Sequence, residues 1–190
     1  MQETNPRYVF KICLIGSGGV GKTCIARRLC FNTFNAKTQL TVGIDFYTHD
    51  IPVIIKSEEV FVRLSIWDFG GQEQFKQLFE YYINGANGIF LVFDLINIET
   101  LIRLDWWYEN IIQHNLHHRP KILVGTKHDL VKENKQFKVD KYIIEQFLKN
   151  HNEKEFMKTS SKENTNILYS FKEMTKRIMD FHKLEYERFP

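Results

Sequence analysis

Short apolar runs alternate with stretches of helical periodicity along almost the whole chain. Tyr8–Ile15 is rich in Val, Ile and aromatic residues and is closed by Gly16, the pattern of a buried strand. The spacing of Ile25 and Leu29 predicts a helix over Gly21–Asn32. Two more strands are expected at Ile44–Ile55 and Val60–Trp67. In the second, Val62, Leu64 and Ile66 alternate with Phe61, Arg63 and Ser65, so its two faces differ. Gly88–Leu95 and Lys121–Gly125 are continuous apolar runs, as central strands covered on both faces require. Between them Leu101, Leu104, Tyr108 and Ile111 predict one helix over Glu99–His114, with at least one of Trp106 and Trp107 in the core. A helix over Val139–Lys149, a strand over Glu155–Thr159 and an amphipathic helix over Thr165–Tyr186 close the chain.

This alternation predicts an α/β fold: an open, six-stranded, mostly parallel sheet with helices on both faces. No repeat, low-complexity tract or second domain interrupts it. The expectation is one domain over residues 1–190 with an ordered core of about 8–185. Asn32–Gly43 and Asp68–Gln77 are weakly patterned and fall where loops border a ligand in such a sheet.

Composition agrees with a soluble globular domain, at 43% hydrophobic and 26% charged residues. A net charge of +3 from 26 basic and 23 acidic residues gives no footprint for nucleic acid, and none is expected as a partner. Cys13, Cys24 and Cys30 are odd in number and lack C-x-x-C spacing, which points to reduced thiols in a cytoplasmic setting. No signal-peptide or membrane-spanning run is visible. Position 2 is not glycine and the sequence ends ERFP, so no lipid anchor is expected from this chain. A peripheral membrane location would need a tail beyond it. His114, His117 and His118 lack an acidic or cysteine ligand nearby in sequence and read as a solvated helix end rather than a metal site.

The chemistry begins at Gly16–Thr23, GSGGVGKT, which fits G-x-x-x-x-G-K-[ST] without mismatch. Glycines let the backbone wrap so that successive N–H groups face phosphate oxygens, and the helix starting near Gly21 adds its positive end. A strand precedes the loop and a helix follows it, the context that separates it from a chance glycine-rich turn. Such a loop implies a phosphate-loop NTPase binding a nucleoside triphosphate with Mg2+. By itself it chooses neither GTP over ATP nor a switch over a kinase.

Four further segments supply that choice: TVGIDF at 41–46, WDFGGQE at 67–73, TKHD at 126–129 and TSSK at 159–162. With them the sequence resembles the small GTPases of the Ras superfamily, most of all the Rab branch, over nearly its whole length. The resemblance implies a GTP-binding switch that hydrolyses GTP to GDP and phosphate, slowly on its own, in trafficking or signalling. It assigns the phosphate cradle to Gly16, Gly18, Gly19, Val20, Gly21, Lys22, Thr23 and Cys24. It assigns Mg2+ to Thr23, Thr41 and Asp68. Gly71 would sense the γ-phosphate through its N–H, and Gln72 would orient the attacking water; with Lys22 these form the catalytic set.

For the base, Asp129 would accept from guanine N1 and N2, a pairing that adenine cannot offer. The stem of Lys127 would pack along the guanine, Phe34 would lean on its edge, and the loop of Ser160, Ser161 and Lys162 would contact O6. Three positions depart from the usual pattern. Thr126 replaces asparagine, as in Rho-type members. Ser161 replaces alanine. Gly70 replaces another alanine, as in Arf-like and Roco-like proteins, and adds backbone freedom to the second loop. Phe46, Trp67 and Tyr82 match aromatics that Rab-like proteins present to partners; as strand aromatics they would otherwise read as core. Effector, exchange-factor and GTPase-activating proteins are the implied partners, acting on loops around Thr41 and Gly71–Gln72. No arginine finger is evident, since Arg27 and Arg28 lie in the helix after the phosphate loop and are expected to face elsewhere. The rival readings are an ATP-dependent kinase, a nucleotide-binding module that does not cycle, and the GTPase domain of a longer protein.

Overall fold

The computed structural model describes residues 5–133 and 138–190. Among them six strands form one sheet: β1 (Tyr8–Ile15), β2 (Ile44–Ile55), β3 (Glu58–Phe69), β4 (Gly88–Asp94), β5 (Lys121–Thr126) and β6 (Phe156–Lys158). Their order is β2-β3-β1-β4-β5-β6, with every pair parallel except β2–β3. The phosphate loop therefore leaves the middle of the sheet at its carboxyl edge, as expected of an open α/β sheet.

The period of two along β1 sorts its side chains to two cores. Ile12 and Leu14 point to one face, where α1 (Lys22–Phe31) and α7 (Ile167–Phe181) bring Ile25, Leu29, Phe171 and Met174. Cys13 and Ile15 point to the other, packing with Phe79 of α2 (Lys76–Tyr82), Trp107 of α4 (Leu104–Gln113) and Phe147 of α6 (Lys141–Asn150). All seven residues of β4 are buried, as the apolar run required.

Three readings of the sequence are corrected. The single helix expected over Glu99–His114 is two, α3 (Ile98–Ile102) and α4. At Arg103 the backbone has ψ −9 and its N–H lies near the carbonyls of both Glu99 and Leu101, so the ladder tightens and turns. The apolar spacing survives this break, with Leu101, Leu104 and Ile111 all buried. The closing helix ends at Phe181 rather than running to Tyr186, because Lys183 adopts φ 55 and reverses the chain. The last residues return along β2, where Ile54 donates to the Arg188 carbonyl at 2.9 Å and Glu187 donates to that of Ile54 at 2.8 Å. Leu184, Tyr186 and Phe189 rest against the first core. Finally, part of the stretch read as loop at Asp68–Gln77 is ordered: Asp68 and Phe69 extend β3, and a 3₁₀ turn at Glu73–Phe75 leads into α2. A further helix, α5 (His128–Glu133), follows β5. No helix among the described residues is long and apolar enough to cross a membrane.

Candidate functional site

The carboxyl end of β5 and the loops that follow β1 and β3 border a cavity of about 400 Å3. Gly16 turns the chain out of β1 at φ 139, and a Cβ there would overlap the Val92 carbonyl of the neighbouring strand. Gly21 precedes α1 in the left-handed region, φ 105, so the first turn of α1 opens toward the cavity. Gly18, Gly19, Gly21 and Cys24 line its wall. Val20 is buried beneath it.

Lys22 is 5% exposed and donates to the carbonyls of Gly16 and Ser17, both at 2.8 Å. Burial brings its pKa down to about 8, opposed by the nearby Asp68 carboxylate. Below it Thr23 donates to Asp68 Oδ2 at 2.5 Å, the hydroxyl oxygens of Thr23 and Thr41 lie 2.7 Å apart, and Thr41 reaches the same carboxylate oxygen at 3.3 Å. Asp68 is fully buried, and burial raises its pKa to about 6, against the pull of Lys22 and the two hydroxyls. Its second oxygen, Oδ1, is buried with no hydrogen-bond partner among the described residues. An ammonium and a carboxylate, each pushed toward neutrality, are what a phosphate anion and a hard cation would relieve. Two hydroxyls and a carboxylate with a spare oxygen suit Mg2+.

Gly71 packs on the phosphate loop so closely that a Cβ would overlap the backbone of Gly16–Gly18, and Gln72 lines the cavity beside Gly18. At the other end Phe34, Lys127, Asp129, Ser161 and Lys162 surround the remaining space. Lys127 adopts φ 58, an unusual conformation for a residue with a side chain, and its ammonium pairs with Asp94 at 2.7 Å. Asp129 is buried and accepts from the Ser160 hydroxyl at 2.7 Å. Ser160 itself is buried behind Asp129 rather than on the wall. The Thr126 hydroxyl lies 2.5 Å from the Val20 carbonyl and 2.9 Å from that of Phe93, lashing the end of β5 to the phosphate loop.

The residues that the sequence assigns to nucleotide and Mg2+ thus lie on this cavity or directly behind its wall. Asp94 was missed; its signal is an acidic residue ending a fully buried strand. Arg27 and Arg28 do not line the cavity, but Arg28 reaches the base-side loop. Outside the cavity, Phe46 and Tyr82 are 60% and 46% exposed. They flank a half-buried Trp67, with ring centroids 4.6 Å and 6.0 Å away. Lys11 Nζ sits 3.7 Å over the Trp67 ring and donates to the carbonyls of Tyr82 and Asn84, which fixes the aromatic group to β1.

The Ras family matches residues 11–180. The chain is 32% identical over 178 residues to the GTP-binding protein ypt1 of Schizosaccharomyces pombe, spanning 93% of this chain and 84% of that protein. It is 37% identical over 164 residues to the Ras-related protein Rab-8A of Pongo abelii, spanning 86% and 75%. With Rab-8A of Bos taurus it shares 36% over 171 residues, spanning 90% and 79%.

Proposed function

The chain belongs to the Ras family, near its Rab branch, and is a GTPase; on that premise we propose that the cavity holds GTP with Mg2+ and that its hydrolysis relaxes two loops that bind partners. The observation that carries this reading is the oxygen cluster of buried Thr23 and Asp68 with partly buried Thr41, beside Lys22. It ties the loop around Thr41 to the phosphate helix and to the end of β3.

Thr23, Thr41 and Asp68 would hold the cation, which when bound neutralises charge on the phosphates. Lys22 leaves the carbonyls of Gly16 and Ser17 to meet the β- and γ-phosphates. The N–H groups of the loop 16–24 cradle the phosphates, and that of Gly71 reads the γ-phosphate. Gln72 holds a water in line with the bond to be broken. Asp129 and Lys127 hold guanine, with Phe34 at its edge. No arginine lines the cavity among the described residues, so turnover is slow until a partner supplies one. Loss of the γ-phosphate removes the contacts of Thr41 and Gly71, and their loops relax.

Effectors, exchange factors and GTPase-activating proteins would engage these loops and the aromatic group of exposed Phe46 and Tyr82 around half-buried Trp67. The setting is the cytoplasm, in trafficking or signalling, as one domain. Identifying the nucleotide carried by the purified protein, then following its release with and without EDTA, tests the reading. Bound GDP or GTP released faster by chelation supports it. Bound ATP, or release indifferent to chelation, overturns it.

A further inference from the structure

Arg28 lies on α1, the helix that begins at Lys22, and its guanidinium spans three carbonyl oxygens. Nε donates to the Ser161 carbonyl at 2.7 Å, and one terminal nitrogen donates to that of Lys162 at 3.3 Å. The other donates to the carbonyl and side-chain oxygen of Asn32 at 2.9 Å and 3.0 Å, at the end of the same helix. The planar fork is thus fixed on one side by α1 and holds the 160–162 loop on the other.

The consequence follows from peptide geometry. In a trans peptide the N–H points opposite to the C=O of the same plane, and no cis peptide occurs among the described residues. With the Ser161 carbonyl held toward α1, the N–H of Lys162 is aimed the other way. The Ser160 carbonyl accepts from Thr165 N at 2.9 Å, which turns the Ser161 N–H in the same manner. Neither N–H has a hydrogen-bond partner among the described residues, and both residues line the cavity. The next amide, that of Glu163, is taken up by Ser160 Oγ at 3.0 Å, and the same hydroxyl donates to Asp129. Two donors are left for a base acceptor.

We infer that Arg28 is a positioning residue for base recognition: by holding the carbonyls of Ser161 and Lys162 it presents the Lys162 N–H, beside that of Ser161, to a carbonyl oxygen at position 6 of a purine. This rests on the proposed binding of guanine nucleotide. It also joins the base-side loop to the helix that carries Lys22 and Thr23, so base and phosphate ends share one rigid element.

The test compares GDP, 6-thio-GDP and IDP binding to the full chain and to Arg28→Ala. Sulfur at position 6 is a poor acceptor but leaves the N1 and N2 donors in place, whereas IDP lacks only the 2-amino group that Asp129 would read. Wild type is expected to prefer GDP over 6-thio-GDP by about fivefold to tenfold, the range of one or two neutral hydrogen bonds. In Arg28→Ala that preference falls toward one, GDP release quickens by a similar factor, and the GDP-to-IDP ratio is unchanged. Arg28→Gln, which keeps a helix-forming stem, gives the same readout if the alanine variant does not fold. Either variant binding GDP with an unaltered 6-thio ratio, or with both ratios lowered together, overturns the inference. A wild-type chain without guanine preference overturns the proposed function as well, and is told apart by that.

Discussion

The backbone N–H of Gly70 donates to the carbonyl of Gly43 at 2.8 Å, extending the β2–β3 pairing beyond its last partners, Ile44 and Phe69. The bond joins the loop of Thr41 to the loop of Gly71 directly. The glycine is there for close approach, since a Cβ at position 70 would lie 2.7 Å from the Thr41 carbonyl and 2.9 Å from that of Gly43. The sequence suggests added freedom at this position; in the fold the missing methyl draws two segments together.

Gly70→Ala is therefore expected to push residues 41–43 away from β3. Overpacking of this kind costs about 1–3 kcal/mol. The thermal midpoint should fall by several degrees, and the amides near Gly43 and Gly70 should exchange faster. Calorimetry and hydrogen exchange check this, and an unchanged midpoint with unchanged exchange would contradict the contact.

Asp68 offers a cation only its spare oxygen and its charge. Asp68→Asn keeps the size and removes the charge. In wild type, chelation should speed nucleotide release by about ten- to a hundredfold, the usual weight of a group supporting a metal. In the variant, release should already be fast and chelation should add little. Stopped-flow release of a fluorescent nucleotide with and without EDTA measures both.

Asp94 accepts from Ile96 N through Oδ1 at 3.0 Å and pairs with Lys127 through Oδ2. Asp94→Asn can retain the first contact and loses the ion pair, freeing Lys127 from its fixed direction. Nucleotide affinity should drop by about tenfold, in line with a hydrogen bond between charged groups. Thermal stability in the absence of nucleotide should change little. Equilibrium titration of GDP into both proteins tests it.

The returning tail seals the edge of β2 at Ile54 and buries part of Leu184, Tyr186 and Phe189. Removing residues 184–190 should lower the thermal midpoint by several degrees and expose the Ile54 amide to exchange. An unchanged midpoint would mean that these contacts contribute nothing to stability.

Strands β1, β4 and β5 were legible because burial on two faces writes a continuous apolar run. Helix α2 was not, since only Phe79 among its seven residues is buried and leaves no periodicity to read. The break at Arg103 was hidden because the apolar spacing continues across it. Leu184 and Tyr186 looked like one more helical turn, and nothing in the identity of Lys183 announces a left-handed residue. In the cavity, residues within contiguous motifs were read directly. Arg28 and Asp94 were not, because their partners lie 133 and 33 positions away along the chain. Such contacts exist only once the sheet has assembled.

The most direct test of the switch is single-turnover phosphate release from GTP and from ATP, in the presence of Mg2+, by wild type and by Gln72→Leu. Slow release from GTP, little from ATP, and a further loss of about tenfold or more when Gln72 no longer orients water is the expected result. Release from ATP in preference to GTP, or a GTP rate indifferent to Gln72→Leu, would contradict it.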